Sequence, residues 1–460
     1  MLKSIRFSKI SFVMVLTLVL TMIVSACGGG TKSSSSSSPS SATTEKSAAP
    51  MKDPVKITVW SGNRSAMDVM TELVKDFNSK NKDIQIEYIT QSDDYRKTLT
   101  LALQTNQAPD VFAGIGGIDF VTNKWALPIE GLVDQKLIDT LRKFDINQTI
   151  DGKLYSLPTT AVTTRLVYNK DLFTKAGLDP NKPPQTFSEV KEAAKKITEA
   201  GKGESFGFGA PMKWGGYADW GLLPSTIAPN KDLTQVAYNT KTGKFQIEAF
   251  KPVVELVRDM VSNNWTFPGA SSLDNDPMRS AFAEGKIGMF IGASWDVGVL
   301  NDQFKSKADW AVAPLPVPDG TKLQNGLMNT GGGYLIWSST KHPKESAKVF
   351  EYFSGAEVSQ KLQKAGKITA LHPEAKGAQY QSDAKGYAGF AVNDLSQAVM
   401  WAPTSLMDIK GETVSQALNR LILTKDPIDT TLNELSKKYN DAYDVAVQSG
   451  KLKKEVFLKK

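Results

Sequence analysis

Between Val55 and Tyr88 the spacing of apolar residues switches period twice, and this limits the fold more than any other feature of the chain. Val55, Ile57 and Val59 alternate with Lys56 and Thr58, the period-two pattern of a half-buried strand, which ends at Trp60. Ser61-Gly62-Asn63-Arg64 reads as a turn. Val69, Met70, Leu73, Val74 and Phe77 then share one helical face, and Ile84, Ile86 and Tyr88 alternate again. Strand, helix, strand is a βαβ unit, which requires a parallel pair joined by a right-handed crossover. A helix over 95–103 and a strand at Asp110-Val111-Phe112, breaking into Gly114, Gly116 and Gly117, continue the pattern. Apolar runs at 287–291, 310–313 and 334–337 predict further strands. Helical stretches are predicted at 187–197, 253–261, 346–353, 414–423 and 432–447, so the class is α/β with a mostly helical C-terminal third.

The segment before this body has a different character. Lys3, Arg6 and Lys9 precede an apolar run over 10–24 that is short for a membrane span, the pattern of an export signal over 1–26. It ends at Val24-Ser25-Ala26-Cys27, which resembles the lipobox of bacterial lipoproteins. Cys27 is the only cysteine. Its lipidation would leave no thiol for a disulfide, catalyst or metal, and several acyl chains would make a stable anchor. The 26 residues from Gly28 to Asp53 carry hardly any large apolar side chain and cannot bury enough surface to fold; as a flexible tether they span about 28 Å. The expected location is the outer face of the cytoplasmic membrane, held by lipid alone. Removing the three signal cations takes the formal charge from +7 to +4, without a basic block, so nucleic acid is not an expected partner.

The body then meets a recognisable pattern. Asp151-Gly152-Lys153-Leu154-Tyr155-Ser156-Leu157-Pro158, followed by Leu166-Val167-Tyr168-Asn169-Lys170-Asp171-Leu172-Phe173 and Gly177-Leu178, resembles the signature of family 1 of the extracellular solute-binding proteins, the maltose-binding-protein-like components of ABC importers. Ala108-Pro109-Asp110-Val111-Phe112, residues 282–289 and Val312-Ala313-Pro314-Leu315-Pro316 support it in the same order. The resemblance implies a two-lobed, type II periplasmic-binding-protein-like fold, each lobe a mostly parallel sheet flanked by helices, joined by crossing hinge segments. It implies an N-terminal lobe of 54–162 and 311–346 and a C-terminal lobe of 163–310 and 347–460. It also implies a monomer that captures a carbohydrate by closing and delivers it to the transmembrane subunits of a permease. Relatives of this broad family take non-sugar solutes too.

Ligands of open α/β sheets lie beyond the carboxyl ends of strands. That rule selects Trp60, Ser61, Asn63 and Arg64 after the first strand, Gly114, Gly116, Gly117 and Asp119 after the strand through Phe112, and Ser294, Trp295 and Asp296 after residues 287–292. Trp214, Tyr217 and Trp220, with Lys213 and Asp219, form a denser aromatic cluster. Indole plates suit the C–H faces of sugars, and short polar side chains suit their hydroxyl rim. Asn63 and Arg64 have an alternative use in capping and dressing the first helix. Asn329, Gly331 and Gly332 are candidates for close backbone approach, Arg165 for ligand contact or hinge locking, and Trp401 is the weakest candidate. Trp125, Trp265 and Trp337 read as packing.

No cofactor or metal is expected. The two histidines, His342 and His372, each precede a proline at a turn or helix start, which supports neither a triad nor a metal cluster. Asp274-Asn275-Asp276 lacks the glycine and glutamate of a calcium loop. An exported hydrolase or lyase needs only two carboxylates at a suitable separation, and 48 acidic residues leave that alternative open.

Overall fold

In the computed structural model, Val55–Ser61 pairs in parallel with Ile84–Thr90 along its whole length, Val55 opposite Ile84 and Ser61 opposite Thr90. The helix Met67–Lys80 makes the crossover and buries Met70, Leu73 and Phe77. The structure describes residues 53–91, 95–114, 118–144, 149–150, 152–324, 326–331, 333–394, 396–400 and 402–459. Cys27, Gly116, Gly117, Gly332 and Trp401 lie outside them.

Val111–Ala113 adds in parallel on the other side of the first strand, and Tyr334–Ile336 closes that edge antiparallel, giving a four-stranded sheet. A second, seven-stranded sheet is organised by the long strand Thr160–Asn169. Its first residues pair antiparallel with Gly326–Gly331 and Thr369–Ala370, and its last with Ile287–Ala293 and Trp310–Ala313. Phe206–Phe208 joins Ile287–Ala293 in parallel, and Ser396–Ala398 joins Gly326–Gly331 likewise. The helix Phe187–Gly201 starts at a reciprocal cap, Thr186 accepting from the Glu189 amide while the Glu189 carboxylate accepts from the Thr186 amide. It lies so close on Gly207 that a Cβ there would meet the Ala194 backbone at 2.2 Å.

Each sheet has its own apolar core. Ile57, Val59, Met70, Leu73 and Val111 pack with Phe350, Phe353, Val358 and Leu362. Leu166, Phe187, Ile197, Val254 and Met289 pack with residues from the last two long helices, Leu418, Leu432 and Tyr443 among them.

These partnerships revise two expectations about which segment serves which half. Trp310–Ala313, expected to re-enter the first half, pairs with Thr160–Asn169 in the larger sheet; the return comes later, at Tyr334–Ile336. Helices Pro343–Ser354 and Ala356–Lys364, expected largely in the second half, bury Ala347, Val349, Phe350 and Leu362 against the smaller sheet. An apolar run reveals that it will be buried, but its partner is settled by pairing distant in sequence.

Candidate ligand-binding site

The strand-end rule directs attention to the loops following Val55–Ser61 and Ile287–Ala293. In the first, the Asn63 amide donates to Ser61 Oγ at 3.2 Å, and Ser65 Oγ donates to Asn63 Oδ1 at 3.0 Å. Asn63 precedes the short helix Arg64–Ala66 but makes no side-chain cap. Arg64 instead reaches out of the smaller-sheet half: its Nη2 lies 2.5 Å from Asp276 Oδ2, on the helix Asn275–Ala283 that packs with the Ile287–Ala293 strand.

Asp276 is the second member of an alternating chain of charges. Its Oδ1 is 3.2 Å from Arg279 Nη1, and Arg279 Nη2 is 2.6 Å from Asp296 Oδ1. Asp296 Oδ2 accepts the Ala293 amide at 2.8 Å. Asp296 is 2% exposed; burial raises its pKa, and Arg279 opposes the rise. The exposed end of the chain is therefore Arg64 and the enclosed end is Asp296, directly after Trp295.

Trp295 and Trp220 meet edge to face, centroids 4.5 Å apart at 68°, an arrangement favoured by the ring quadrupoles. Both are partly exposed. Trp214, also partly exposed, folds over Gly216, where a Cβ would lie 2.6 Å from the indole. Tyr217, by contrast, is 3% exposed, its ring occupying the space a side chain at Gly221 would need. It belongs to the core beneath these indoles.

The remaining candidates divide similarly. Ser294 is buried and its amide donates to the Thr163 carbonyl at 2.9 Å. Arg165 is buried, donating to the carbonyls of Thr164 and Ala391 and to Ser396 Oγ, and so ties the long strand to the following C-terminal segment. Trp60 is the penultimate residue of its strand and packs with Trp125, Trp337 and Phe120. The Gly114 amide donates to the Gly333 carbonyl at 2.9 Å. Asp119 holds Arg96 at 2.7 Å. Asn329 and Gly331 lie in a strand opposite Val162 and Thr160, half-buried where the long strand begins. Trp265 packs on the larger core. His342 and His372 each precede a helix begun by proline, as read.

Sequence reasoning missed one group altogether. Lys367 follows Gly366, whose φ of +71° suits glycine, on the segment from Ala356–Lys364 to Thr369–Ala370. Its side chain is 3% exposed, and its ammonium lies 3.3 Å from Asp68 Oδ1 in the smaller-sheet half and 2.8 Å from Asp302 Oδ2 in the larger. Beside it, a Cβ on Gly298 would come within 3.2 Å of Ser65 Cβ. Like Arg64 and Asp276, these partners are far apart in sequence and no local pattern links them. A separate cavity of about 490 Å³, lined by Trp310, Val312, Gly386 and Gly389 among others, contains none of the candidates.

Two α/β halves, a long strand running into the second, and polar loops of one meeting aromatic loops of the other define a two-lobed binding protein of the type II periplasmic class. The family model of the bacterial extracellular solute-binding proteins matches residues 61–360, and the chain belongs to that family. It is 25% identical over 408 residues to the maltotriose-binding protein of Pyrococcus abyssi, covering 84% of this chain and 81% of that one. It is 27% identical over 327 residues to an sn-glycerol-3-phosphate-binding periplasmic protein of Brucella melitensis, covering 66% and 71%. The acarbose-binding GacH receptor of Streptomyces glaucescens shares the fold with a TM-score of 0.69 at 20% identity, over 85% of this chain and 99% of that one.

Proposed function

We propose that this protein captures a carbohydrate, an oligosaccharide of a few units, between its two halves, closes around it and delivers it to the transmembrane subunits of an ABC importer without chemical change. The observation that carries this reading is the partly exposed indole pair Trp220–Trp295 at the carboxyl end of a strand, close to the charge chain that Arg64 completes from the other half. An aromatic plate beside hydrogen-bonding side chains matches the two surfaces of a sugar. The named ligands of the maltotriose-binding relative and the acarbose-binding structure support the same class.

Ligand bridging both halves makes contacts available only when they meet, so the closed population rises. The segments about Thr160, Gly331 and Gly366 would absorb the motion. Export and lipid attachment at Cys27 follow from the charge and apolar pattern of the first 26 residues, and the protein would work as a monomer. Among the described residues no helix is long and apolar enough to cross a membrane.

Calorimetry with maltotriose, raffinose and stachyose tests the reading, with chromatography of each mixture for products. Saturable binding without turnover is expected, and Trp295→Ala should weaken it by about 1–3 kcal/mol while leaving the melting transition cooperative. Turnover of a saccharide would replace capture by hydrolysis or lysis, and an unchanged dissociation constant in Trp295→Ala would remove that indole from the site.

A further inference from the structure

The charged side chains of the candidate loops are nearly all engaged with one another or with the backbone. Arg64 holds Asp276, Arg279 holds Asp276 and Asp296, and Arg96 holds Asp119. Lys213 turns to Asp274 at 3.6 Å, the loosest of these contacts. Arg165 spends its guanidinium on carbonyls and a hydroxyl inside the fold.

Asp219 is different. It sits on the short helix Ala218–Leu222 between Tyr217 and Trp220, and its amide donates to the Gly216 carbonyl. Its carboxylate meets neither a cation nor a hydrogen-bond donor among the described residues. The side chain is open to solvent, yet the protein around it desolvates the carboxyl and raises its pKa. It is exposed on the same short helix as Trp220, whose ring meets Trp295, and Trp214 lies shortly before it in the chain.

An anionic solute arriving there would meet an uncompensated like charge, and to gain a cation it would have to displace a carboxylate from its partner. A hydroxyl faces no such conflict, because an ionised carboxylate offers about four acceptor positions. We propose that this site takes an uncharged polyhydroxylated solute and rejects phosphorylated or carboxylated ones, with Asp219 as the residue that discriminates. The proposal rests on the carbohydrate reading and narrows it: of the solutes named for relatives, maltotriose has the required chemistry and sn-glycerol 3-phosphate does not.

Two measurements on the purified full chain and its Asp219→Asn variant test this. The first is calorimetry with maltotriose, raffinose and stachyose against sn-glycerol 3-phosphate and the galacturonic acid trimer. The wild type should bind at least one neutral saccharide about 100-fold more tightly than either anion, and Asp219→Asn should shrink that gap about tenfold by admitting the anions. An anion bound by the wild type as tightly as the neutral compounds, or a gap unmoved in the variant, overturns the proposal.

The second measurement needs no ligand. Tryptophan fluorescence is quenched in parallel by iodide, caesium and acrylamide at low ionic strength, where surface fields are least screened. Asp219→Asn should make the exposed indoles about twofold more accessible to iodide and less so to caesium, with acrylamide unchanged. Identical profiles in both proteins overturn the role of Asp219. Binding of none of the saccharides, with the quenching shift present, would sink the carbohydrate reading and leave the charge assignment standing.

Discussion

The two halves approach one another with different chemistry. The smaller-sheet half presents a loop of short polar groups and the long Arg64 side chain, whose ion pair is 37% exposed at the arginine. The larger-sheet half presents indoles, one of them directly before Asp296, which is largely enclosed together with its partner Arg279. Exposed charge pairs contribute little because water solvates their members almost as well when apart. Enclosed ones cannot lose a partner without leaving a buried charge. The larger half is thus a rigid wall, and Arg64 of the smaller one meets it through a contact that is easily made and broken.

The largest effect should come from breaking the rigid side. Asp296→Ala leaves Arg279 enclosed without its closest carboxylate and the Ala293 amide without an acceptor, an expected loss of about 3–5 kcal/mol, read as a shift of the urea midpoint. The pH dependence has a defined sign. Burial puts the pKa of Asp296 above its unfolded value, so the folded state holds the proton more tightly. The wild type should gain stability relative to Asp296→Asn as pH falls through the folded pKa toward the unfolded one. A difference between the two that is flat with pH would mean the carboxylate is better solvated than its enclosure indicates.

This asymmetry also marks how far the sequence could be read. Period-two and helical spacing located the βαβ unit, and a short apolar run located the strand 310–313, because each of these signals is local in sequence. The long strand Thr160–Asn169 escaped notice: nearly all its residues are buried, so it shows no alternation. The strand-end rule selected Trp295 and Arg64 but could not tell an open side chain from an enclosed one. Tyr217 was chosen as part of an aromatic cluster and Asp296 by its position after a strand, and the structure buries both. Asp276 was weighed for calcium and found a different partner, since Arg64 lies 212 residues away and nothing local announces it.

The contact between halves offers the smaller tests. Lys367→Met replaces an enclosed ammonium by an apolar side chain of similar size and returns Asp68 and Asp302, both well exposed, to water. Isosteric replacement of this kind is often near neutral for stability, so the midpoint should move by no more than about 1 kcal/mol. The ligand-free protein should nonetheless expand, because Lys367 bridges one carboxylate from each half. X-ray scattering reads this as a larger radius of gyration, and an unchanged radius with a large stability loss would make Lys367 a core residue and not a link.

Arg64→Ala should have the smallest effect, under about 1 kcal/mol at low salt. Its signature is its dependence on ionic strength. At 1 M salt the screening length is about 3 Å, comparable with the Arg64–Asp276 separation of 2.5 Å, so variant and wild type should converge in both stability and radius. Asp276 complicates the comparison, because it also holds Arg279 at 3.2 Å. Removing Arg64 leaves that inner pair in place, whereas Asp276→Asn weakens both contacts at once. If the halves meet through the outer contact and the indoles are fixed by the inner one, Arg64→Ala should expand the ligand-free protein without disturbing Trp295 fluorescence, and Asp276→Asn should do both. Equal fluorescence changes in the two variants would mean that the chain acts as a single unit, with no boundary between a fixed wall and a moving one.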